Sequence, residues 1–214
     1  MYLPKQFAET ETRVLHDLMR ERPFATLVVM TSEGLSVDHI PLLVDETVEP
    51  CGVLRGHVAR ANPIVQAGLL DTDAVAIFHG PNHYVTPSWY ATKQETGKVV
   101  PTWNYVVVHA YGRPQFIEDE SWLRLLVNQL TQQHEAHRDP SWAVSDAPEE
   151  FVTTQLRGIV GIEMPIARLV GKWKLGQNRP AVDRAAVIEG LRCEGDASAE
   201  ALAEFTERSM AEPR

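Results

Sequence analysis

Short runs rich in β-branched and aromatic residues recur from Phe24 to Ile117, most of them bounded by a Gly- or Pro-containing turn. This pattern limits the fold more than any other feature, because short strands joined by short turns pair with their neighbours antiparallel. Phe24 to Thr31 and Leu35 to Val44 flank Ser32-Glu33-Gly34 and read as a hairpin. Asp45 to Gly52 is a polar turn, and Val53 to His57 is the next strand. Ala74 to Phe78, Val106 to Ile117, Gly158 to Met164 and Ala167 to Leu175 follow as further strands. Helical spacing sets the remainder. Val14, Leu15, Leu18 and Met19 share one face of a helix from Glu9 to Arg22, which Pro23 stops. A second long helix begins at Asp119, with Trp122, Leu125, Leu126 and Leu130 on one face, and a shorter one runs from Pro148 to Arg157. The tail from Val182 to Met210 is helical, interrupted at Gly195, with Ser198 as the cap of its last piece. The expectation is a mainly β fold with α, a β-barrel with helical cover.

At 214 residues and 44% hydrophobic content the chain can bury one core. It is therefore read as a single domain, 1–214, with a helical insert at 118–157 and a C-terminal helical tail at 180–214. The net charge of −9 does not favour nonspecific binding to nucleic acid or to an anionic membrane, although a local basic patch stays open. Cys51 and Cys193 are too few and too distant for a disulfide framework or a thiolate metal site. The N-terminus lacks the charged and apolar regions of a signal peptide, and no apolar run approaches a membrane span. A cytoplasmic protein with no membrane partner is expected.

One stretch carries a recognisable site geometry. Leu54 to Ile64 reads as a strand end, a close approach at Gly56, then His57 and Arg60, then Asn62-Pro63 as the cap and first position of a helix from Pro63 to Leu70. Arginine beside a helix start suits a phosphate or a carboxylate; the same residues also describe an ordinary surface arginine next to an ordinary cap. Both readings stand at this level.

Residues 79–105 break the strand pattern with a long connection of aromatics, hydroxyls and prolines, the composition of a binding loop rather than a linker. Trp89, Tyr90, Trp103, Tyr105 and Trp173 suit a planar ligand in an apolar site, with Ser88, Thr102, Asn104, Gln177 and Asn178 as polar handles. A planar ligand that also carries a phosphate would satisfy both stretches at once, and flavin mononucleotide has that form. Other chemistry finds little support. Ser88 lacks a nucleophile elbow, and no phosphate-cradling glycine loop, helix-turn-helix or zinc-finger spacing occurs. His134 and His137 sit three apart without a third ligand placed by sequence, so no metal site is expected.

These motifs together resemble the PaiB family of FMN-binding negative transcriptional regulators, relatives of the flavin-reductase and pyridoxamine-phosphate-oxidase split barrels. The resemblance runs nearly end to end, through residues 1–7, His-Ile-Pro-Leu-Leu at 39–43, Gly-His-Val-Ala-Arg-Ala-Asn-Pro at 56–63, residues 80–90, Val-Pro-Thr-Trp-Asn-Tyr at 100–105 and Lys-Trp-Lys-Leu-Gly-Gln-Asn at 172–178. Thr86 and Gly176 depart from the serine expected at each position. The resemblance implies an FMN-binding split β-barrel with a helical insert and C-terminal helices, forming a homodimer with flavin near the subunit interface. By that analogy Arg60 and Asn62, with His57 nearby, hold the flavin phosphate, and the strand from His39 runs along the isoalloxazine ring. Ser88, Trp89, Trp103 and Asn104 close the site, and Gln177 and Asn178 remain polar handles for the cofactor. A DNA or regulatory protein partner goes with the regulator label. Two other functions fit the same barrel, an FMN-dependent oxidoreductase or flavin reductase using a reduced nicotinamide, and a haem- or flavin-binding storage protein.

Overall fold

The computed structural model describes residues 1–211; the last three residues of the expected tail lie outside them. In chain order the regular elements are β1 (Ala8–Glu9), α1 (Thr12–Glu21), β2 (Phe24–Thr31), β3 (Gly34–Pro41), β4 (Leu43–Asp45), β5 (Val53–Ala59), α2 (Pro63–Ala67) and β6 (Ala74–Val85). There follow α3 (Lys93–Thr96), β7 (Thr102–Gly112), β8 (Gln115–Ile117), α4 (Glu120–Glu135), α5 (Glu149–Arg157), β9 (Ile159–Lys174), α6 (Ala181–Glu194) and α7 (Ala197–Ala211). The main path of the sheet is β3-β2-β6-β7-β9-β5-β4, with β1 and β8 both paired to β9. The chain divides into two compact units. Strands β6, β7 and β9 each run from one into the other.

One unit comprises residues 19–78 and 109–169. Its hairpin β2–β3 pairs Phe24 with Pro41 through Thr31 with Gly34, and Gly34 takes the positive φ of 113° that closes the turn. β5 lies antiparallel on β9 from Val53–Pro165 to Ala59–Ile159. Leu27, Leu54, Phe78, Ile162 and Met164 are at most 1% exposed and form the centre of the core. The helical insert covers this unit's sheet. Leu123 of α4 packs with Val152 and Leu156 of α5, and Trp122 seats on β9 at Gly161, where a Cβ would come within 2.3 Å of the indole. Only glycine leaves that notch.

The other unit comprises residues 1–18, 79–108 and 170–214. Here β1 pairs with the end of β9, Ala8 opposite Lys172 and Glu9 opposite Gly171. Helices α6 and α7 pack through Leu191, Ala199, Leu202 and Ala203, all fully buried.

Several local expectations shift: the strand expected at Leu35 to Val44 divides into β3 and β4, and that at Val106 to Ile117 into β7 and β8. β6 continues to Val85 and β7 begins at Thr102, so strand pairing takes both ends of the segment read as a loop. The two strands expected at 158–175 are one, because Ile166 N–H donates to Gly52 O at 2.9 Å and pairing resumes directly after Pro165. Helix α2 ends at Ala67, with Gly68 at φ 71° receiving the turn. Finally, Asp196, not Ser198, caps α7, accepting from the N–H groups of Ser198 and Ala199 at 2.8 and 2.9 Å. The Ser198 hydroxyl instead donates to Asn82 O at 2.9 Å and ties α7 to β6.

Candidate functional site

Of the ten residues singled out by sequence, His39, His57, Arg60 and Asn62 lie in the unit of residues 19–78 and 109–169. Asn62 is the N-cap of α2, its Oδ1 accepting from Ile64 N–H at 3.0 Å while its Nδ2 donates to Asp38 at 2.7 Å. Arg60 follows the end of β5. Its Nε donates to Arg157 O at 2.9 Å, Nη1 to Glu118 at 2.9 Å and Nη2 to Ile159 O at 3.2 Å. Arginine thus bolts β5 to the corner between α5 and β9. Three of its five N–H groups are used, leaving two for an external acceptor. His57 has a buried Nδ1 with no hydrogen-bond partner, and burial lowers its pKa below the ordinary 6.5, so the ring is neutral at pH 7. His39 is exposed on the outward face of β3, 3.1 Å from the Thr26 hydroxyl and tilted against Phe24.

The other six lie in the second unit. Trp89 stacks on His83 and fills a notch in α6 at Gly190, where a Cβ would meet the indole at 2.3 Å. Ser88 is exposed on the short turn before it. Trp103 is 56% exposed with its edge toward Tyr84. Gln177 is turned inward, accepting from Leu175 N–H at 2.9 Å and donating to Trp173 O at 2.6 Å. Its amide is spent on shaping a loop in which Gly176 has φ +80°, a conformation glycine adopts without strain. Asn104 and Asn178 share one cleft.

That cleft, about 180 Å³, is lined from β7 by Thr102 and Asn104, from the end of β9 by Lys174, and from the loop and α6 by Asn178, Arg179 and Arg184. Lys174 donates to the Thr102 hydroxyl and to Trp103 O. Burial, and then the charge of Lys172, hold its pKa below the usual lysine value. Arg179 lies 4.8 Å over the Tyr90 ring. Asp183, the carboxylate of the cleft, is 1% exposed and held by Thr92 N–H and Oγ1, each at 2.9 Å. Arg184 keeps its Nε buried without an acceptor. The sequence reading missed Lys174, Arg179 and Arg184. Their signal was the alternation Lys172-Trp-Lys174, then Arg179-Pro180 opening a helix.

Residues 1–168 match the family model described as "Putative FMN-binding domain". The chain belongs to this FMN-binding family. It is also 36% identical to an uncharacterised protein of Emericella nidulans, over 89% of this chain and 90% of that one. The Bacillus subtilis protein named "Protease synthase and sporulation protein PAI 2" is 32% identical, over 98% of both chains. Among solved structures, the flavocytochrome Anf3 from Azotobacter vinelandii superposes with a TM-score of 0.58 at 14% identity, covering 84% of this chain and 75% of that one, a likeness of fold. The FMN-binding family member is thus a split barrel of the PaiB type, and its cofactor is FMN. The unpartnered His57 Nδ1 and the two remaining Arg60 N–H groups suit a ribityl phosphate, although Glu118 and Asp38 bring negative charge to the same corner. When bound, FMN supplies hydride and one-electron chemistry. No described helix is long and apolar enough to cross a membrane.

Proposed function

We propose that this FMN-binding protein works as a homodimeric regulatory flavoprotein, with the flavin ring along residues 39–43 and its phosphate at Arg60, Asn62 and His57. The observation that carries the reading is the outward face of β3. This strand ends the sheet path, yet Leu35 and Val37 are 71% and 55% exposed at alternate positions, Met30 opposite Leu35 is 36% exposed, and Phe24 at the far end of β2, opposite Pro41, is 65% exposed. An open edge with an apolar face invites a second copy and a planar ring together. Ser88 and Trp103, exposed in the other unit, are then available to a flavin held by the partner subunit. With a net charge of −9, the regulatory output is assigned to a protein partner or a locally basic face rather than to general attraction for DNA.

Flavin titration tests the phosphate assignment. Arg60→Ala should weaken FMN by about 1.5–3 kcal/mol, the loss of a charge-assisted bond to phosphate, and leave riboflavin unaffected. Equal weakening of both flavins would refute the role of Arg60. Sedimentation of the Val37→Glu variant tests the seam: a monomer with weakened FMN is expected, and a wild-type monomer that holds FMN fully would exclude the dimer.

A further inference from the structure

The cleft at the start of α6 has features that the flavin assignment does not use. Lys174, Arg179 and Arg184 bring three positive charges to its lining, against the one carboxylate of Asp183. Both oxygens of that carboxylate are already held by Thr92. Arg184 Nε is a buried donor without an acceptor, an arrangement that costs stability unless something supplies one. The 14-residue helix α6 opens at Pro180 with no side-chain cap, and Asp183 is the acidic residue of its first turn. Asn104 and Asn178 add side-chain amides. Size gives a further constraint. At about 180 Å³ the cleft is smaller than the roughly 300–1,000 Å³ typical of drug-sized ligands, a size that suits a small group. The residues from Lys174 onward also lie beyond the 1–168 span that matches the FMN-binding family.

We infer that this cleft is a second ligand site, separate from the flavin, that binds a small oxyanion group, phosphate or carboxylate, through Arg184, Lys174 and Asn178. An acceptor placed against Arg184 Nε would satisfy the orphaned donor, and the same group would neutralise the surplus charge at Lys174, whose pKa is held down by burial and by Lys172. The group is the anionic end of an effector or substrate, with its remainder extending from the mouth of the cleft.

Calorimetry on FMN-loaded protein tests the inference, with inorganic phosphate and acetate as separate probes in chloride buffer. Saturable binding of one anion per chain with an unchanged flavin spectrum is expected. Arg184→Gln and Lys174→Met should each weaken it about tenfold or more. Phosphate binding alone would identify a phosphoryl ligand, and acetate binding alone a carboxylate; either supports the site. Absence of saturable heat with both probes up to about 10 mM would overturn it. Undiminished binding by both variants, shown folded by circular dichroism, would overturn it too. So would release of FMN by phosphate, since the cleft would then serve the flavin. Should Arg184→Gln fail to fold, Lys174→Met alone decides.

Discussion

Arg60 and Arg184 are the same residue type in opposite circumstances. Arg60 meets three protein acceptors, two of them backbone carbonyls, so the guanidinium is first a bolt and only secondarily a ligand donor. Arg184 has a buried donor left over. The first arrangement contributes to folding and can be read as stability, whereas the second costs stability until an acceptor is supplied. Neither sequence motif announces the difference, since Arg60 stands just before a helix with proline at its start and Arg184 in the first turns of another.

The backing of the two regions differs in the same sense, and two glycines sharpen the contrast. On β5, a Cβ at Gly56 would meet Pro41 O at 2.8 Å and Leu42 at 2.7 Å, and the carbonyl cannot move away. On α6, the atoms nearest a Cβ at Gly190 belong to the Trp89 indole, a side chain, at 2.3–2.6 Å. Gly56→Ala should therefore lower the unfolding free energy by about 3 kcal/mol, and Gly190→Ala by about 1–2 kcal/mol with a shift in tryptophan emission. Denaturant melts of both variants check the order. Equal losses would show that the indole is as firmly fixed as the backbone.

The arginines themselves give the next largest difference. Arg60→Ala, measured without flavin, should cost about 1–2 kcal/mol, because two carbonyl partners are lost while the exposed Glu118 pair contributes little. Arg184→Gln should leave the unfolding free energy unchanged or raise it, since an unsatisfied buried donor disappears. A loss at position 184 matching that at 60 would end the contrast and show Arg184 to be structural.

The smallest effect is in pH. Burial lowers the His57 pKa in the folded protein below the ordinary 6.5, so the unfolded chain takes up the proton first. Its contribution to stability is complete above about pH 6.5 and declines as pH falls through the lowered folded value. Thermal melts of wild type and His57→Gln across pH 5–8 should show a shallower acid decline in the variant. Parallel curves would remove His57 from the account.

Much of the fold was legible in the sequence because it depends on local rules. The β2–β3 hairpin follows from alternation around Ser32-Glu33-Gly34, the α2 cap from Asn62-Pro63, and the break between α6 and α7 from Gly195, whose φ is 74°. The family followed from spaced motifs that no single strand or helix requires, and the match over residues 1–168 agrees with it. The placement of the site residues was less legible. Trp89 occupies a glycine notch in α6, and Gln177 hydrogen-bonds within its own loop, contacts that spacing along the chain does not reveal.

The sequence alone determined the centres of most strands and helices, where most turns fall, and that a flavin-type motif set is present, because these depend on neighbours a few positions apart. Only the tertiary structure decided that the segments after Phe78 and before Val106 continue as strands, that 159–174 is one strand, and that Lys174, Arg179 and Arg184 share a cleft with Asn104. Strand pairing and charge convergence join residues tens of positions apart. Their energies depend on burial and on which acceptors remain free, and neither quantity exists until the chain has folded.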